Sequence, residues 1–299
     1  MPAYGFDAEE KMNRSFLFVP ADDARKLDKA GAAGADAIIL DLEDSVAAER
    51  KPAARGMAGE FLRGRQHTWV RISPVDGDEA SADLAAVMPS APAGIVLPKA
   101  RSAADVHKLA QALDALEREH GIGSGSTQIL PLCTETPRAL FTLGSYADAT
   151  PRLYGLSWGA EDLAAAVGAT ERRDEDGEWL PPYELARSLC LFAAAAAGVV
   201  AVDTVYTNYR DAGGLARFAA RARRDGFSGM LAIHPAQVDV INRAFMPSQA
   251  ELERAERITA LFAQHPDAGT LGLDGQMIDR PHLVQAQRIL ELAKKNTAG

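Results

Sequence analysis

Short apolar segments alternate with longer helical segments along most of this 299-residue chain. Helical spacing, with apolar residues three and four positions apart, is clear over Ala103–His120, Pro182–Ala197 and Leu215–Asp225. Eight short and largely apolar runs have strand length, and they are Ser15–Val19, Ala37–Leu42, Thr68–Ile72, Gly94–Leu97, Gln128–Thr134, Arg152–Ser157, Val199–Val202 and Met230–Ile233. Eight strands that alternate with helices predict an α/β protein with the (β/α)8 TIM-barrel fold.

The predicted barrel domain covers residues 1–245, and a C-terminal helical extension covers residues 246–299. The extension starts with a helix over Gln249–Gln264, for which Ser248 is the expected cap. A loop with three glycines and Asp274 follows, and then a final amphipathic helix whose apolar face contains Leu283, Ala286, Ile289, Leu290 and Ala293. Because a barrel closes without such an extension, we expect it to pack on a neighbouring subunit or to cover the site as a lid.

One charged segment interrupts the alternation after the sixth predicted strand. It runs from Thr170 to Pro181 with the sequence TERRDEDGEWLP. We interpret it as a solvated insertion, with the alternative that it borders the pocket.

Nearly every predicted strand ends in a polar or charged side chain. These side chains are Asp41, Glu43 and Asp44, then Arg71, Lys99, Glu135, Asp162, Asp203 and His234. Because strands commonly end at polar residues, one such residue does not indicate a functional site. The ends of parallel barrel strands converge on one face, however, and together they predict a charged pocket there.

Two of these acids follow neighbouring strands of the predicted barrel. Glu135 comes after the fifth strand, and Asp162 stands in the turn after the sixth. Two carboxylates side by side suit a hard divalent cation such as Mg²⁺, which takes one or two protein carboxylates and completes its shell with water and substrate oxygens. The alternative is that both acids interact with the dipoles of the helices that follow them.

Composition and charge narrow the classes of partner. The formal net charge of -9 argues against nucleic acid or an anionic membrane as the main partner. We find neither an apolar run of transmembrane length nor the apolar region of a signal peptide in the opening MPAYGFDAEEKMNRS. The two cysteines, Cys133 and Cys190, lie in apolar surroundings and are interpreted as core thiols. The expected location is the cytoplasm.

Nine segments, in order, resemble the citrate lyase β-subunit-like group of the HpcH/HpaI aldolase superfamily. They are RSFLFVPAD, DAIILDLEDSV, KPAAR, VRIS, GIVLPKA, the TET of CTETPRAL, GAEDLAAAVGA, DGFSGMLAIHPAQVDVIN and DGQMIDRPHLVQAQ. The resemblance runs from about Arg14 to about Leu290. It implies a (β/α)8 barrel, commonly a homotrimer or hexamer, that binds Mg²⁺, with Mn²⁺ as an alternative, and acts on coenzyme A (CoA) or carrier-protein thioesters.

The resemblance also assigns roles to the candidate residues. Glu135 and Asp162 match the metal-binding acids. Arg71 matches an arginine that contacts the thioester carbonyl and the substrate carboxylate, although it could instead be the partner of a carboxylate in the DLED motif. Asp279 matches an acid/base residue that related lyases deliver to a neighbouring subunit's site, although it could instead cap the last helix.

Further positions match residues around the pocket. Glu43, in the DLED motif with Asp41 and Asp44, is expected to orient metal-bound water and Arg71 and to belong to the catalytic set. Arg14 and Lys99 match positions that line the pocket, where they would bind anionic groups of the substrate. The chain departs from the family pattern at Ser73, Ala21 and the Pro137–Arg138 pair, and Ser73 and Arg138 are expected at the pocket rim.

The function implied is a Mg²⁺-dependent carbon–carbon lyase. It would cleave a β-hydroxyacyl-CoA thioester such as malyl-CoA or citramalyl-CoA to an acyl-CoA and glyoxylate or pyruvate, or catalyse the reverse reaction. Three alternatives stay open: a malyl-CoA-type thioesterase, a citryl-carrier-protein lyase subunit that needs partner chains, and a class II aldolase on substrates without a thioester.

Overall fold

The computed structural model describes residues 12–297 and divides into two compact units, Met1–Asn242 and Arg243–Gly299. The first unit contains an eight-stranded parallel sheet with helices between its strands. The second contains two helices and a two-stranded hairpin. Within residues 12–297, no helix combines the length and the apolar character that crossing a membrane requires.

The parallel sheet closes on itself. Its strands are β1 Ser15–Pro20, β2 Ala37–Asp41, β3 Thr68–Arg71, β4 Gly94–Leu97, β5 Gln128–Pro131, β6 Gly155–Ser157, β7 Val200–Asp203 and β8 Gly229–Ala232. They are hydrogen-bonded in the order β5-β4-β3-β2-β1-β8-β7-β6. Between β5 and the β6 segment, the Tyr154 N–H donates to the Ile129 carbonyl (3.0 Å) and the Cys133 N–H to the Ser157 carbonyl (2.8 Å). The predicted (β/α)8 barrel is confirmed.

Helices connect the strands around the barrel. They are α1 Ala24–Gly31, α2 Lys51–Leu62, α3 Asp78–Val87, α4 Ala103–His120, α5 Pro137–Leu140, α6 Ala160–Val167, α7 Pro181–Ala197, α8 Ala212–Asp225 and α9 Pro235–Ala244. Helix α4 has the predicted bounds, because the Ser102 hydroxyl accepts the Ala104 N–H at its start and Gly121, with φ 67°, ends it.

Apolar side chains from most of the strands fill the barrel interior. The buried cluster consists of Phe16, Ala37, Ile39, Trp69, Val96, Leu130, Leu132, Val200, Val202 and Leu231. Trp69 makes edge-on contacts with Phe16 and Tyr154 at centroid distances of 5.8 and 5.1 Å. Gly94 leaves room for it, since a Cβ there would lie 2.3 Å from Trp69 Cζ3. The barrel is therefore a packed core, and a ligand has to bind at one of its ends.

Several bounds in the first unit differ from the sequence prediction, among them the end of β5, which is Pro131 and not Thr134. Strand β6 starts at Gly155, where its pairing with β7 begins, and not at Arg152. The Arg152 side chain is buried against Glu117 and Asp114, with Nη2 2.6 Å from Glu117 Oε2. The predicted insertion is mostly exposed, but Trp179 within it is buried and packs on Trp158 at 5.1 Å. The insertion is further tied to the helices of the barrel by the ion pairs Arg172–Glu161 (3.0 Å) and Glu178–Arg221 (2.7 Å).

The second unit is a small helical layer with its own core. Helices α10 Gln249–Gln264 and α11 Arg280–Thr297 contact each other through a buried cluster that includes Ile258, Phe262 and Ala286. Ser248 and Glu251 form a capping box at the start of α10, as the sequence predicts for Ser248. Most of the apolar face predicted for the last helix, namely Leu283, Ala286, Ile289 and Leu290, belongs to this cluster.

The segment predicted as a glycine loop is a β-hairpin. Strands β9 Thr270–Leu273 and β10 Gln276–Asp279 pair antiparallel around the two-residue turn Asp274–Gly275. Both turn residues have positive φ, 52° and 74°, as a type I′ turn requires. The loop prediction was wrong because an Asp-Gly pair between strands is a hairpin signal.

Candidate active site

A cavity of about 400 Å³ opens in the first unit where the strands of the barrel end. Its apolar side is formed by Phe18, Pro20, Leu132, Trp158, Val205, Leu231 and Ile233. Its polar side is formed by Asp41, Asp44, Ser45, Arg71, Glu135, Glu161, Asp162 and Thr204 together with the backbone of Gly159 and Ala160. The predicted charged pocket therefore exists, and part of its wall is apolar.

Glu135 follows β5 and is almost fully buried, with 4% of its surface exposed. Its Oε2 atom accepts the backbone N–H of Lys99 at 2.5 Å. Burial, together with the charges of Asp162 and Glu43, raises the pKa of Glu135 to about 8. A bound cation would stabilise the ionised form of such a buried carboxylate.

Gly159 fixes the position of Glu135. Its N–H donates to Thr134 Oγ1 at 3.2 Å, which joins the end of β5 to the start of α6. A Cβ at residue 159 would lie 2.8 Å from Glu135 Cγ and 3.0 Å from Glu135 Oε1. The glycine therefore lets the Glu135 carboxylate approach the first turn of α6.

Asp162 lies in that first turn and lines the same cavity as Glu135. Its side chain is 35% exposed, and Oδ1 is 3.7 Å from the Lys99 ammonium. Within residues 12–297, no group of three or more His, Cys, Asp or Glu side chains has the arrangement of a complete metal cage. Two carboxylates and an open cavity nevertheless fit Mg²⁺, which keeps water and substrate oxygens in its shell.

Arg71 and Asp41 form a bidentate ion pair beside the acids. The two residues are partners in the register between β3 and β2. Arg71 Nε and Nη2 donate to Asp41 Oδ1 and Oδ2 at 2.7 and 2.6 Å. The Arg71 guanidinium carbon lies over the Phe18 ring, 4.9 Å from its centroid. Arg71 therefore lines the cavity and is the partner of a DLED carboxylate, while its contact with the substrate stays a prediction.

Glu43 and Lys99 stand next to this pair. Glu43 is buried, with Oε2 3.0 Å from Arg71 Nη1 and Oε1 2.5 Å from Lys99 Nζ. Burial raises the pKa of Glu43, whereas its carboxylate and that of Asp44 hold the pKa of Lys99 above the ordinary value. Lys99 therefore binds protein carboxylates here, and its contact with the substrate stays a prediction.

Arg14 lies away from these residues. It directly precedes β1, at the N-terminal end of a strand whose other end, Pro20, lines the cavity. Its guanidinium forms a bidentate pair with Asp36, with Nε–Oδ2 and Nη2–Oδ1 distances of 2.7 and 2.8 Å. The prediction that Arg14 lines the pocket was wrong, because a strand length separates it from the pocket.

The predicted rim residues are also absent from the cavity lining. Neither Ser73 nor Arg138 belongs to the residues that line the described cavity. Ser73 is buried, and its hydroxyl accepts the Lys51 ammonium at 2.7 Å. Its difference from the family pattern therefore affects packing around β3 and not the wall of the pocket.

Asp279 belongs to the second unit, where it ends β10 and directly precedes α11. His282 Nδ1 lies 2.5 Å from Asp279 Oδ1 and 3.2 Å from the Asp279 backbone nitrogen. Both contacts run through one ring nitrogen of His282, three residues further on. Asp279 therefore pairs with His282 at the start of α11, and about a third of its side chain is exposed.

The sequence did not predict the buried contacts that hold Trp158 in the apolar part of the cavity wall. Trp158 lines the cavity and is fully buried, with its indole Nε1 donating to Asp203 Oδ1 at 2.6 Å. The other oxygen of Asp203 binds Arg187 Nε and Nη2 at 3.0 and 2.8 Å. Asp203 was expected in the pocket, but its buried carboxylate fixes the indole from behind. The pairing could not be found from sequence because the partners are 45 residues apart.

Comparison with known proteins identifies the family of this chain. Residues 14–235 match the family model described as HpcH/HpaI aldolase/citrate lyase. Citrate lyase subunit beta from Haemophilus influenzae is 36% identical over 290 residues, which cover 95% of this chain and 98% of the relative. A (3S)-malyl-CoA thioesterase from Cereibacter sphaeroides is 34% identical over 287 residues, which cover 94% of each chain.

A solved structure extends the comparison to three dimensions. The CitE protein of Mycobacterium tuberculosis, in complex with magnesium, acetoacetate and coenzyme A, superposes with a TM-score of 0.81 at 36% identity. The match covers 95% of this chain and 98% of that one. Sequence, barrel and pocket thus lead to one conclusion: the chain belongs to the HpcH/HpaI aldolase/citrate lyase family and is a lyase.

Proposed function

We propose that this protein is a Mg²⁺-dependent carbon–carbon lyase for a β-hydroxyacyl-CoA thioester such as malyl-CoA or citramalyl-CoA. The products would be an acyl-CoA and glyoxylate or pyruvate. The observation that carries the proposal is the convergence of Glu135, Asp162 and Arg71 on one cavity that also has an apolar wall. The CitE structure, which contains magnesium, acetoacetate and coenzyme A, supports it.

Glu135 and Asp162 would hold the metal. The donor set consists of hard carboxylate oxygens, and the buried Glu135 carboxylate has a raised pKa that a cation would offset. When bound, Mg²⁺ supplies Lewis-acid chemistry that polarises substrate oxygens and lowers the pKa of a bound hydroxyl group. Gly159 keeps the Glu135 carboxylate close to α6, beside Asp162.

Arg71 would stabilise the charge that develops on the thioester. Cleavage removes the proton of the β-hydroxyl group and breaks the adjacent carbon–carbon bond, and the electron pair moves towards the thioester oxygen. Because Asp41 holds two nitrogens of the guanidinium and Glu43 lies 3.0 Å from the third, the direction of the N–H groups that are left for a substrate is fixed. A preorganised cation of this kind stabilises a developing oxyanion more than a flexible one does.

Asp279 would supply or remove the proton at carbon from a neighbouring copy of the chain, in a homotrimer or hexamer. Helix α7 carries exposed apolar side chains seven residues apart, Leu185 and Phe192, with 58% and 65% exposure, which suits contact with a second copy. Mixing Glu135→Gln and Asp279→Asn chains tests delivery in trans. If it is correct, the mixture regains activity that neither variant has alone.

Hydrolysis of the same thioester is the second candidate, favoured by the similarity to (3S)-malyl-CoA thioesterase. Arg71 would then polarise the thioester carbonyl for attack by water. Product analysis by mass spectrometry separates the two functions, using malyl-CoA and citramalyl-CoA with Mg²⁺ or with excess EDTA. An acyl-CoA plus an oxo acid, lost with EDTA, supports the lyase. Free CoA plus the intact hydroxy acid contradicts it and supports the thioesterase.

A further inference from the structure

Lys99 contacts both proposed metal ligands with different parts of the residue. Its backbone N–H donates to Glu135 Oε2 at 2.5 Å, and its ammonium nitrogen lies 3.7 Å from Asp162 Oδ1. We propose that Lys99 is a positioning residue that orients Glu135 through its backbone and whose ammonium competes with the divalent cation for Asp162. Lys99 would thereby lower the affinity for Mg²⁺. The inference rests on the proposed metal site and is independent of which thioester is cleaved.

The backbone of Lys99 is held in an unusual conformation. Its φ angle is 53°, in the left-handed region that favours glycine over residues with a Cβ. Lys99 follows Pro98, which has no N–H to donate, so the first donor after β4 is that of Lys99. The left-handed turn directs this donor to Glu135. Because glycine would adopt the same turn without strain, a lysine there points to a use for its side chain.

The Lys99 side chain faces an excess of negative charge. Its ammonium contacts Glu43 Oε1 at 2.5 Å and Asp44 Oδ1 at 3.2 Å in addition to Asp162. Arg71, which lines the same cavity, uses two of its nitrogens on Asp41 and faces Glu43 with the third. Among the described residues, Lys99 is therefore the cation that forms an ion pair with Asp162. A divalent ion on Asp162 is repelled by this ammonium, and the repulsion is strong at such distances in a partly buried site.

Calorimetry of Mg²⁺ binding, without substrate and after removal of metal by EDTA and dialysis, tests the proposal. The Lys99→Met variant loses the ammonium but keeps most of the apolar stem, and we expect it to bind Mg²⁺ about tenfold more tightly or better. The Lys99→Arg variant keeps the positive charge and should stay within about threefold of the wild type. The control is Lys108→Met, since Lys108 binds Asp76 outside the cavity lining and should leave the affinity unchanged.

Three outcomes would change these conclusions. Unchanged or weaker Mg²⁺ binding by Lys99→Met would show that Lys99 does not compete with the metal. If that variant also had a raised KM at unchanged Mg²⁺ affinity, Lys99 would be a substrate-binding residue. If Lys99→Met does not fold, Lys99→Gly removes the same ammonium while relieving the backbone strain, and tighter binding is again expected. If the wild type binds no Mg²⁺, the proposed metal site itself is wrong.

Discussion

Two arginine–aspartate pairs at opposite ends of the barrel have nearly the same geometry and different surroundings. Arg71 binds Asp41 with nitrogen–oxygen distances of 2.7 and 2.6 Å, and Arg14 binds Asp36 with 2.7 and 2.8 Å. Around Arg71 stand further acids, and the Nη1 atom lies 3.0 Å from Glu43. Arg14 stands before β1, where the barrel strands begin. A bidentate pair thus indicates function only where unbalanced charge and an open cavity accompany it.

The largest effect is expected from removing one charge of the proposed metal site. Glu135→Gln or Asp162→Asn leaves a site of nearly the same shape with one anionic ligand fewer. Turnover should fall by about three orders of magnitude, because the Lewis acid is no longer held. Steady-state kinetics and Mg²⁺ calorimetry measure the loss, and unchanged circular dichroism shows that the fold persists. The control is Asp36→Asn at the other end of the barrel. Near-normal turnover of either site variant would remove the metal scheme.

The two arginines themselves give the second prediction. Arg71→Met should lower kcat/KM by about two orders of magnitude, because a preorganised donor to the developing oxyanion is lost. Arg14→Met should leave kcat/KM almost unchanged and lower the free energy of unfolding by about 1–3 kcal/mol, because the bidentate ion pair between Arg14 and Asp36 is lost. Steady-state kinetics and urea unfolding of both variants measure the effects on kcat/KM and on the free energy of unfolding. An equal loss of kcat/KM in the two variants would contradict the conclusion that Arg71 acts in the site and that Arg14 has a structural role.

The sequence predicted this difference only in part, for a physical reason. The strand pattern correctly places Asp41, Arg71, Glu135 and Asp162 on one cavity, because residues that follow parallel strands must converge. Motif matching placed Arg14 beside them, although it stands at the start of its strand. Six residues of β1, about 20 Å of extended chain, separate the two ends. Neighbours in a motif can thus lie at opposite ends of a barrel.

Contacts between distant segments were beyond the sequence for another reason. The Trp158–Asp203–Arg187 network joins three elements, and nothing in the sequence around any one of them indicates the other two. The hairpin at Asp274–Gly275, in contrast, had a local signal that the abundance of glycine obscured. Local turn chemistry is thus readable in advance, whereas partners of buried charges follow only from the packed structure.

Gly159 allows a smaller perturbation of the same acid. In Gly159→Ala the new Cβ would lie 2.8 Å from Glu135 Cγ, so the carboxylate has to move. We expect Mg²⁺ affinity to fall by about tenfold, because the ligand geometry is displaced although no charge is removed. The matched control is Gly56→Ala in α2, where a Cβ meets nothing within 4 Å and should stabilise the helix. Unchanged affinity in Gly159→Ala would show that Glu135 has room to adapt.

The last expected effect concerns stability and not catalysis: it is a dependence of stability on pH that comes from Glu135. Its pKa is raised from 4.5 to about 8 by burial, so the folded chain keeps a proton that the unfolded chain releases. This contribution to stability is fully present below about pH 4.5 and is lost as the pH rises through about 8. In EDTA, the melting temperature of the wild type should therefore decline relative to Glu135→Gln between pH 5.5 and 8.5, while saturating Mg²⁺ should reduce the decline by stabilising the ionised carboxylate. Scanning fluorimetry of both proteins at these pH values measures the difference, and parallel curves would show that Glu135 is already ionised at neutral pH.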